Sequence, residues 1–447
     1  MKMTALARSL IIAVSAVSLS SVAFAQERVE KDFTLGANVL VSAAAAERPL
    51  VEPQVVAHPK DPKHLVAVAI VSSEPPHQPP ADCAAFTSFD GGQTWAQHNL
   101  GISNCGDPWV ALREDGSALF AGLAPRGEIR LLRSTDGGRA WVPVPVDLGR
   151  GHDHETMIVD ATGGPRTGSF YVISGRMRRN PAGRGVASIF VTRSADGGKT
   201  FTPPTHFVAS NLNLNALTPG ILSDGVLVLP WFDFQSNADD FKSTGFLERK
   251  RLWVVASSDG GQTFSHPMFV SEACASGGGF ASLAVDASSG SSRDRLYLTC
   301  SNRDRNTIFV HYSSDRGERW SAPVRADSAA GEVIFRRTPS IAVNKDGVVA
   351  VTWYERRKEA TRECQHIYFT ASLDGGKTFL PEARVSSAPS CPDTPRNGGS
   401  AKRWPAGGDY SGLAAAADGS FHVLWSDSRN GIYQLWSARV QVNAALK

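Results

Sequence analysis

The sequence predicts an all-β protein built as a seven-bladed β-propeller. One short turn motif occurs six times along the chain, and its aspartates are separated by 46 to 63 residues. Apolar, strand-like segments alternate with turns rich in glycine and aspartate, and no helical periodicity is visible outside the N-terminal segment. A period of this length is typical of a stacked or radial repeat.

The repeated motif has the pattern S-x-D-x-G-x-T-[W/F]. Its carboxylate can accept neighbouring backbone N–H groups, and its glycines adopt positive φ without steric cost, so the motif predicts a tight turn. The aromatic residue that follows returns to the core. We therefore interpret the motif aspartates as structural: Asp90, Asp136, Asp196, Asp259, Asp315 and Asp374.

Counting strands around these turns gives seven units. Each unit has two apolar strands before the motif, a third strand leading into it and a fourth after it, but the seventh unit (410–440) has no motif and only three strands. The segment FTLGANVLVSA (33–43) is similar to the other fourth strands. We expect it to complete the last blade and close the ring, which hides the open sheet edges.

The six motif copies resemble the Asp-box, or BNR, repeat of sialidases and other glycan-active propellers, in which the box lies on the face away from the active site. The chain also resembles exported bacterial-type sialidase family proteins through segments 51–69, 407–414 and 423–429. The resemblance implies a propeller that acts on glycans. A six-bladed, sialidase-type ring with one extra hairpin is the alternative architecture.

The N-terminal segment has the features of a signal peptide. Lys2 and Arg8 precede an apolar stretch, and Ala23-Phe24-Ala25 forms a cleavage site before Gln26. We interpret residues 1–25 as the signal peptide and residues 26–447 as a single propeller domain that is exported to the periplasm or the extracellular medium.

Charge and hydropathy indicate neither a membrane-spanning segment nor a nucleic acid partner. The apolar run near the N-terminus is short and interrupted by serines, and no later segment is long and apolar enough to span a membrane. The formal net charge is +3 and no basic run or nucleic-acid-binding motif is present, so we expect no nucleic acid partner. Nothing in the sequence specifies an oligomeric state.

All six cysteines fall on the face opposite the motif turns. An exported chain with an even number of cysteines favours disulfides, and six cysteines allow about 15 pairings. Propeller topology favours sequence neighbours, and without a C-x-x-C spacing we expect neither a metal nor a cofactor. The expected pairs are Cys83–Cys105, Cys274–Cys300 and Cys364–Cys391.

Arginines and carboxylates also collect on that face, at the starts of first strands and the ends of second strands. The planar guanidinium suits a carboxylate because it forms two parallel charge-assisted hydrogen bonds. Salt bridges between blades are the alternative role for each residue. The candidates for binding an acidic sugar are Arg337, Arg356, Arg429, Arg303 and Glu52.

The segment Tyr410-Ser411-x-Leu413 resembles the Y-S-x-L sequence that presents the tyrosine nucleophile of sialidases. The resemblance implies that Tyr410 is the nucleophile. A phenol needs a neighbouring carboxylate to accept its proton, and Glu355 and Glu52 are the candidates. A tyrosine that only caps the mouth of the pore is the alternative. The candidate acids are Asp409, Asp107 and Asp153.

A second segment, RTPS (337–340) followed by ERR (355–357), resembles the R-I-P segment and downstream E-x-R of sialidases. In sialidases that segment opens the propeller, whereas here it lies one blade before Tyr410. WYERR (353–357) and WSDSR (425–429) occupy equivalent repeat positions, so a structural pairing of the acid and the arginine across blades is the alternative interpretation.

The cluster His152-Asp153-His154-Glu155 offers groups for a metal or for acid–base chemistry. Because adjacent residues on a strand alternate faces, the four side chains are not expected to converge, and a polar rim is the simpler interpretation.

The leading hypothesis is an exported glycoside hydrolase of the exo-α-sialidase type that acts on acidic sugars. One alternative is a non-catalytic propeller that binds a glycan, peptidoglycan or a protein. The other is a polysaccharide lyase or different hydrolase on the same scaffold, with His152 or His154 acting together with Tyr410.

Overall fold

The computed structural model describes residues 27–45, 47–72, 81–180, 182–183, 185–210, 212–237, 250–274, 280–328, 332–357 and 364–443. These residues form seven antiparallel sheets, which are the seven blades of a β-propeller. The predicted fold class is therefore confirmed, and the six-bladed alternative is wrong. The proposed signal peptide lies outside the described residues.

The chain starts with three short strands, and blades 1 to 3 follow. The first strands are β1 (Arg28–Val29), β2 (Phe33–Leu35) and β3 (Val39–Leu40), followed by a 3₁₀ helix (Ala43–Ala45). Blade 1 contains β4 (Leu50–Ala57), β5 (Leu65–Val71), β6 (Asp82–Ser88) and β7 (Ala96–Ser103). Blade 2 contains β8 (Gly106–Leu112), β9 (Ala118–Ala124), β10 (Glu128–Ser134) and β11 (Val142–Pro143). Blade 3 contains β12 (His152–Val159), β13 (Phe170–Arg179), β14 (Gly185–Ser194) and β15 (Thr205–Ser210).

Blades 4 to 7 repeat this order, with a divided first strand in blade 4. That blade contains β16 (Leu212–Ala216), β17 (Gly220–Ile221), β18 (Leu227–Asn237), β19 (Lys250–Ser257) and β20 (Met268–Ser271). Blade 5 contains β21 (Ser282–Val285), β22 (Leu296–Ser301), β23 (Ile308–Ser313) and β24 (Val324–Arg325). Blade 6 contains β25 (Val333–Val343), β26 (Val349–Arg357), β27 (His366–Ser372) and β28 (Ala383–Arg384). After a 3₁₀ helix (Pro395–Asn397) and helix α1 (Gly398–Arg403), blade 7 contains β29 (Gly412–Ala415), β30 (Phe421–Asp427) and β31 (Gln434–Val442).

The N-terminal strands close the ring. Strands β2 and β3 both pair with β31, with Phe33 opposite Val442 and Val39 opposite Ser437. The expectation that segment 33–43 supplies the last outer strand is thereby confirmed. The join is apolar as well as hydrogen-bonded, because Phe33 is buried and its ring meets the edge of Phe369 at 5.4 Å in blade 6.

The second strands show why the sequence contains continuous apolar runs. Every residue of β5 is buried, because neighbouring blades cover both faces of the strand. A strand covered on one side only would alternate apolar and polar residues, whereas a strand covered on both sides is apolar throughout. The core is therefore a set of apolar layers between adjacent blades, arranged around a central channel.

The motif turns are held by hydrogen bonds to their own aspartates. In the turn after β19, Asp259 Oδ1 accepts hydrogen bonds from the backbone N–H groups of Gln262 and Thr263, both at 2.9 Å, and from Ser257 Oγ at 2.8 Å. The carboxylates are used inside their own turns, which agrees with the structural interpretation. Their assignment to the Asp-box repeat stays a prediction.

Three disulfides lie on the opposite face, which is called the upper face below. They join Cys83 to Cys105, Cys274 to Cys300 and Cys364 to Cys391. All three predicted pairs are confirmed. In the part of the chain that the structure describes, no helix is long and apolar enough to cross a membrane.

Removing the Phe33 side chain tests whether the closing strand contributes to global stability. We expect Phe33→Ala to lower the free energy of unfolding by about 3–5 kcal/mol, the usual cost of truncating a buried phenylalanine. Thr34→Ala, on the half-buried opposite side of β2, should cost about 1 kcal/mol or less. Urea unfolding followed by tryptophan fluorescence measures both. Equal effects would mean that closure does not depend on the apolar join.

Candidate functional site

The first strands of four blades share a bulge where they enter the channel. The strand register shifts at Val51/Gln54 in β4, Gly106/Trp109 in β8, Asp153/Thr156 in β12 and Arg337/Ser340 in β25. A non-glycine residue at positive φ occupies each bulge: Glu52 (56°), Asp107 (45°), His154 (50°) and Thr338 (46°). Such conformations cost about 1–3 kcal/mol each and persist only where the surroundings impose them, often at ligand sites. The repeated strain marks the upper mouth of the channel as the candidate site.

Tyr410 and Glu52 meet at this mouth. The Tyr410 hydroxyl donates a hydrogen bond to Glu52 Oε2 at 3.3 Å, and both side chains are buried. Glycines allow this approach: the N–H of Glu52 donates to the Gly407 carbonyl at 2.8 Å, and a Cβ at Gly408 would lie 2.8 Å from the Glu52 nitrogen. The Gly-Gly pair before Asp409 is therefore required by the close contact between blades 7 and 1.

Four further carboxyl groups gather around this pair. The Glu52 and Asp107 carboxyls lie close enough to shift each other's pKa. Asp153, Glu155 and Asp409 are close enough to act electrostatically on their neighbours in the group. We call Glu52, Asp107, Asp153, Glu155 and Asp409 the carboxyl cluster.

Burial and mutual repulsion raise the pKa values of four members of the cluster. Burial, followed by the negative charge of Asp107, raises the pKa of Glu52 well above its usual value. Burial and the charge of Asp153 raise the pKa of Asp107 to about 7. Burial raises the pKa of Asp153 too, with a further contribution from Asp409. Carboxyl groups that titrate near neutrality are suited to donate and accept protons.

Glu155 is the member of the cluster whose burial costs the most free energy. It is fully buried, and neither of its carboxyl oxygens has a hydrogen-bond partner among the described residues. Burial and the charge of Asp107 raise the pKa of Glu155 well above its usual value. A buried polar group without a partner costs about 1–3 kcal/mol, so packing alone does not account for a glutamate here.

Aromatic rings line the channel next to the cluster. Tyr410 packs edge-on against Trp109 at 5.7 Å, and the His154 ring stacks on Phe280 at 3.7 Å. These four side chains line a channel cavity of about 290 Å³ whose walls come from the first strands of all seven blades. We call Tyr410, Trp109, His154 and Phe280 the aromatic plug. Burial, followed by the charge of Glu52, raises the pKa of Tyr410 well above its usual value.

The structure brings most of the predicted catalytic residues together. Tyr410, Asp409, Asp107 and Asp153 all lie at the channel mouth, and Asp409 is tied to the aromatic plug because its carbonyl accepts the N–H of Phe280 at 3.0 Å. Glu52, predicted as a ligand-binding residue and as one of two candidate bases, is the carboxylate in contact with Tyr410.

Glu355, the other candidate base, is held in a separate ion-pair network. Its Oε2 accepts hydrogen bonds from Arg336 Nε at 2.8 Å and from Trp353 Nε1 at 3.1 Å, and Oε1 accepts one from Arg357. Arg336 also pairs with Asp327 at 2.8 Å. Because both Glu355 oxygens are engaged within blade 6, its contacts place it in the scaffold rather than beside Tyr410.

Arg429 occupies the equivalent network of blade 7. Its guanidinium pairs with Asp427 Oδ2 at 2.6 Å and lies over the Trp436 ring at 4.2 Å, while Trp425 Nε1 donates to the same oxygen at 2.9 Å. The Trp, acid and Arg of the repeated W-x-[DE]-x-R segment therefore contact one another within one blade, at and just beyond the end of β30. The expectation that they pair across blades is wrong, because alternate residues of a strand share one face.

The other predicted arginines lie on blades 5 and 6. Arg337 is half-buried and its guanidinium lies over the Phe335 ring at 4.4 Å. Arg356 is half-buried opposite Phe335 in the β25–β26 pair. Arg303 is exposed in the turn that follows β22.

His152 belongs to blade 3 packing. Its Nδ1 lies 2.6 Å from Ser174 Oγ and its Nε2 lies 2.9 Å from the Leu148 carbonyl, and burial lowers the pKa of His152 to about 4. His154, two residues on, joins the aromatic plug instead. The side chain of His152 therefore points away from the site, in agreement with the prediction that the four side chains do not converge. Residues 153–155 lie together at the bulge of β12.

One group of described residues brings three potential metal-ligand atoms within 4.8 Å of one another: Cys274, Cys300 and His311. The two sulfurs are joined in a disulfide, so they are not thiolate ligands.

Sequence reasoning missed Trp109 and Phe280. A signal for Trp109 was present, because Glu52-Pro53 and Asp107-Pro108 are equivalent acid–proline pairs at the starts of first strands, and Trp109 follows the second pair. Phe280 has no comparable signal, since its role arises from stacking on a ring of another blade.

Solved structures with the same kind of fold include sialidases and another glycoside hydrolase. A Hadza microbial sialidase has a TM-score of 0.49 at 16% identity, with 80% of this chain and 73% of that chain covered. Trypanosoma rangeli sialidase with the inhibitor DANA has a TM-score of 0.45 at 14% identity; 88% of this chain is covered but only 55%, about half, of that chain. A mutant of the α-L-arabinofuranosidase from Fusarium graminearum has a TM-score of 0.43 at 13% identity, covering 76% of this chain and 93% of that one.

No known family matches the sequence, and no curated protein matches it. Sequence identities this low carry no information about the chemistry of the site, which has to be argued from the residues of this chain.

Replacing Glu155 should make stability less dependent on pH. A buried carboxyl whose folded-state pKa is raised contributes most stability below its unfolded pKa, near 4.3, and that contribution is lost as pH rises toward the folded pKa, by up to about 1.4 kcal/mol per pH unit. We therefore expect Glu155→Gln to gain melting temperature relative to the wild type as pH rises from 4.5 to 7.5. Calorimetric scans measure this difference. The exposed Glu318→Gln is the control, and parallel pH profiles for Glu155→Gln and wild type would contradict the assignment.

Proposed function

We propose that this protein is an exported glycoside hydrolase whose reaction centre is the Tyr410–Glu52 pair at the upper mouth of the channel. The observation that carries the proposal is the 3.3 Å hydrogen bond from the Tyr410 hydroxyl to Glu52 Oε2, inside a cluster of carboxyl groups. Tyrosine nucleophiles paired with a carboxylate are one established solution for retaining glycoside hydrolysis.

In this mechanism Tyr410 attacks the anomeric carbon while its proton passes to Glu52. Glu52 can accept it only if its own proton moves on, and the neighbouring Asp107 carboxyl is the proposed acceptor of that proton. The pKa of Asp107 is raised to about 7, chiefly by burial, so it can take and return a proton at neutral pH. A tyrosyl–glycoside bond forms as the bond to the leaving group breaks, and water later releases the sugar.

Asp153 is the proposed donor to the leaving group. It is half-buried at the start of β12, and burial together with the charge of Asp409 raises its pKa. A half-buried carboxyl group with a raised pKa can reach a substrate oxygen and is better suited to donate a proton than an ordinary aspartate.

The acidic-sugar form of the proposal, an exo-α-sialidase, requires cationic side chains around the pair. Arg337 and Arg356 of blade 6 are its best candidates, because Arg429 is bound to Asp427 and Arg303 is exposed away from the contacts that define the site. Sialosides therefore belong in the first substrate panel, beside neutral and amino glycosides. Export is supported by the three disulfides, which persist in oxidising compartments.

Tyr410→Phe tests the nucleophile. With a panel of fluorogenic sialosides, neutral glycosides and amino glycosides, we expect the purified protein to release fluorophore from at least one member. Tyr410→Phe should reduce kcat/KM by at least about 10³-fold, because the variant retains the shape of the site but not the attacking oxygen. Tyr354→Phe is the matched control: its hydroxyl donates to the Ser426 carbonyl at 2.9 Å, and its loss should affect stability only.

Other outcomes of that experiment separate the alternatives. Glycan binding without turnover would favour the non-catalytic propeller, and an unsaturated sugar product would favour a lyase. Equal activity of Tyr410→Phe and the wild type would remove Tyr410 from the mechanism.

Asp153→Asn tests the proton donor. We expect kcat/KM to fall by about 10²–10⁴-fold for a substrate whose leaving group is an alcohol, because that oxygen must be protonated as it departs. A nitrophenol leaving group needs little protonation, so its loss should be much smaller. The exposed Asp304→Asn serves as the control on the same face. A loss that is independent of the leaving group would assign Asp153 a structural role.

A further inference from the structure

The carboxyl cluster is unusual because its acids face one another rather than paired arginines. Glu52, Asp107 and Asp153 each raise the pKa of Glu155 through their negative charges. The charge of Arg403, an exposed residue at the end of α1, acts on Glu52 and Asp153 in the opposite direction. The field at the channel mouth is therefore negative whenever these acids ionise.

Glu155 supplies a second, independent indication that something binds there. Its side chain is fully buried and points into the cluster, and both oxygens are without a hydrogen-bond partner among the described residues. A buried carboxyl is normally paired or hydrogen-bonded. A ligand that brings hydrogen-bond donors and positive charge into the cluster would satisfy it.

The spacing of the cluster favours an organic cation over a bare metal ion. In the described chain, no three carboxyl oxygens of the cluster lie within 4.8 Å of one another, whereas oxygen ligands of a bound calcium or magnesium ion lie about 2.0–2.6 Å from the ion. The aromatic plug adjoins the cluster, with Tyr410 in contact with both Trp109 and Glu52. Carboxylates beside aromatic rings are suited to a protonated amine on a sugar ring, because the rings attract both the cation and the apolar ring face.

We propose that the carboxyl cluster binds the ammonium group of an amino sugar, so that the substrate class of this site is glycans with free, non-acetylated amines. The proposal rests on the proposed function for the identity of the ligand as a sugar. It assigns Glu155 and Asp409 the role of specificity residues, which recognise the amine.

Binding of such a ligand must be linked to proton release. The groups that face the bound amine are the carboxyl cluster, the hydroxyl of Tyr410, the ring of His154 and the guanidinium of Arg403. In the free protein, burial holds the pKa values of the cluster above their ordinary range, and an ammonium group favours the ionised carboxylates. Affinity should therefore rise as pH increases from 5 to 7, with protons leaving the protein.

Binding is measured by titration calorimetry on the mature chain carrying Tyr410→Phe, which removes turnover but keeps the cluster. The probes are three β-1,4-linked dimers that differ only at C2: the glucosamine dimer, its N-acetylated form and the glucose dimer. We expect the glucosamine dimer to bind about 10- to 100-fold more tightly than the other two, the range given by one or two charge-assisted hydrogen bonds. Measurements in two buffers of different ionisation enthalpy should reveal proton release on binding.

We expect Glu155→Gln to lower the preference for the amine by at least about tenfold, because it removes the negative charge but keeps the size of the side chain. Asp409→Asn should reduce it independently if Glu155→Gln does not fold. Glu318→Gln, on the opposite face, should leave the preference unchanged.

The outcomes distinguish this proposal from the hydrolase proposal. Selective binding of the amine without hydrolysis of any panel glycoside supports the inference and overturns the proposed function. Hydrolysis of neutral or acidic glycosides together with equal binding of the three dimers overturns the inference alone. Calcium chloride that binds with the same proton release and displaces the glucosamine dimer would also overturn it, in favour of a metal site.

Discussion

Closure of the ring by the N-terminal strands is the constraint on which the rest of the structure depends. Strands β2 and β3 complete blade 7 by pairing with β31, so the first and last parts of the chain share one sheet. Only in a closed ring do the seven first strands converge on one axis. The contact between Tyr410 in blade 7 and Glu52 in blade 1 lies at that seam. The candidate site is thus formed across the junction that closes the fold, and its geometry depends on an intact closure.

The channel mouth contains several features that lower the stability of the fold. Four first strands bulge there with non-glycine residues at positive φ, and carboxyl groups are buried together, Glu155 without a hydrogen bond. Each of these features costs free energy, and the apolar layers between the blades offset them. The centre is strained and its carboxyl groups repel one another. This arrangement is expected where a ligand or a transition state supplies the compensating positive charge.

Most arginines on the upper face serve the scaffold. In blades 4, 6 and 7 an acid on the second strand accepts hydrogen bonds from a tryptophan and an arginine. The donors to Asp233 are Trp253 and Arg251 of the third strand, whereas Glu355 and Asp427 are each bonded by the Trp and Arg two residues away in their own W-x-[DE]-x-R segment. The same device in three blades is explained by the repeat itself. A catalytic centre occurs once, at a position where the repeats differ, and the Tyr410–Glu52 pair meets that condition.

The sequence by itself determined the repeat, the seven blades, the closing strand and the three disulfides, because turn chemistry, apolar runs and chain order are local or topological properties. It also named Tyr410, Asp107 and Asp153 as candidates from their places at the starts of first strands. Only the tertiary structure decided that Glu52 rather than Glu355 contacts Tyr410, that Arg429 belongs to a scaffold ion pair, and that Trp109 and Phe280 close the channel. The physical reason is that each of these facts depends on which side chains from different blades meet at the axis, and strand bulges set those directions by amounts that a two-residue alternation does not encode.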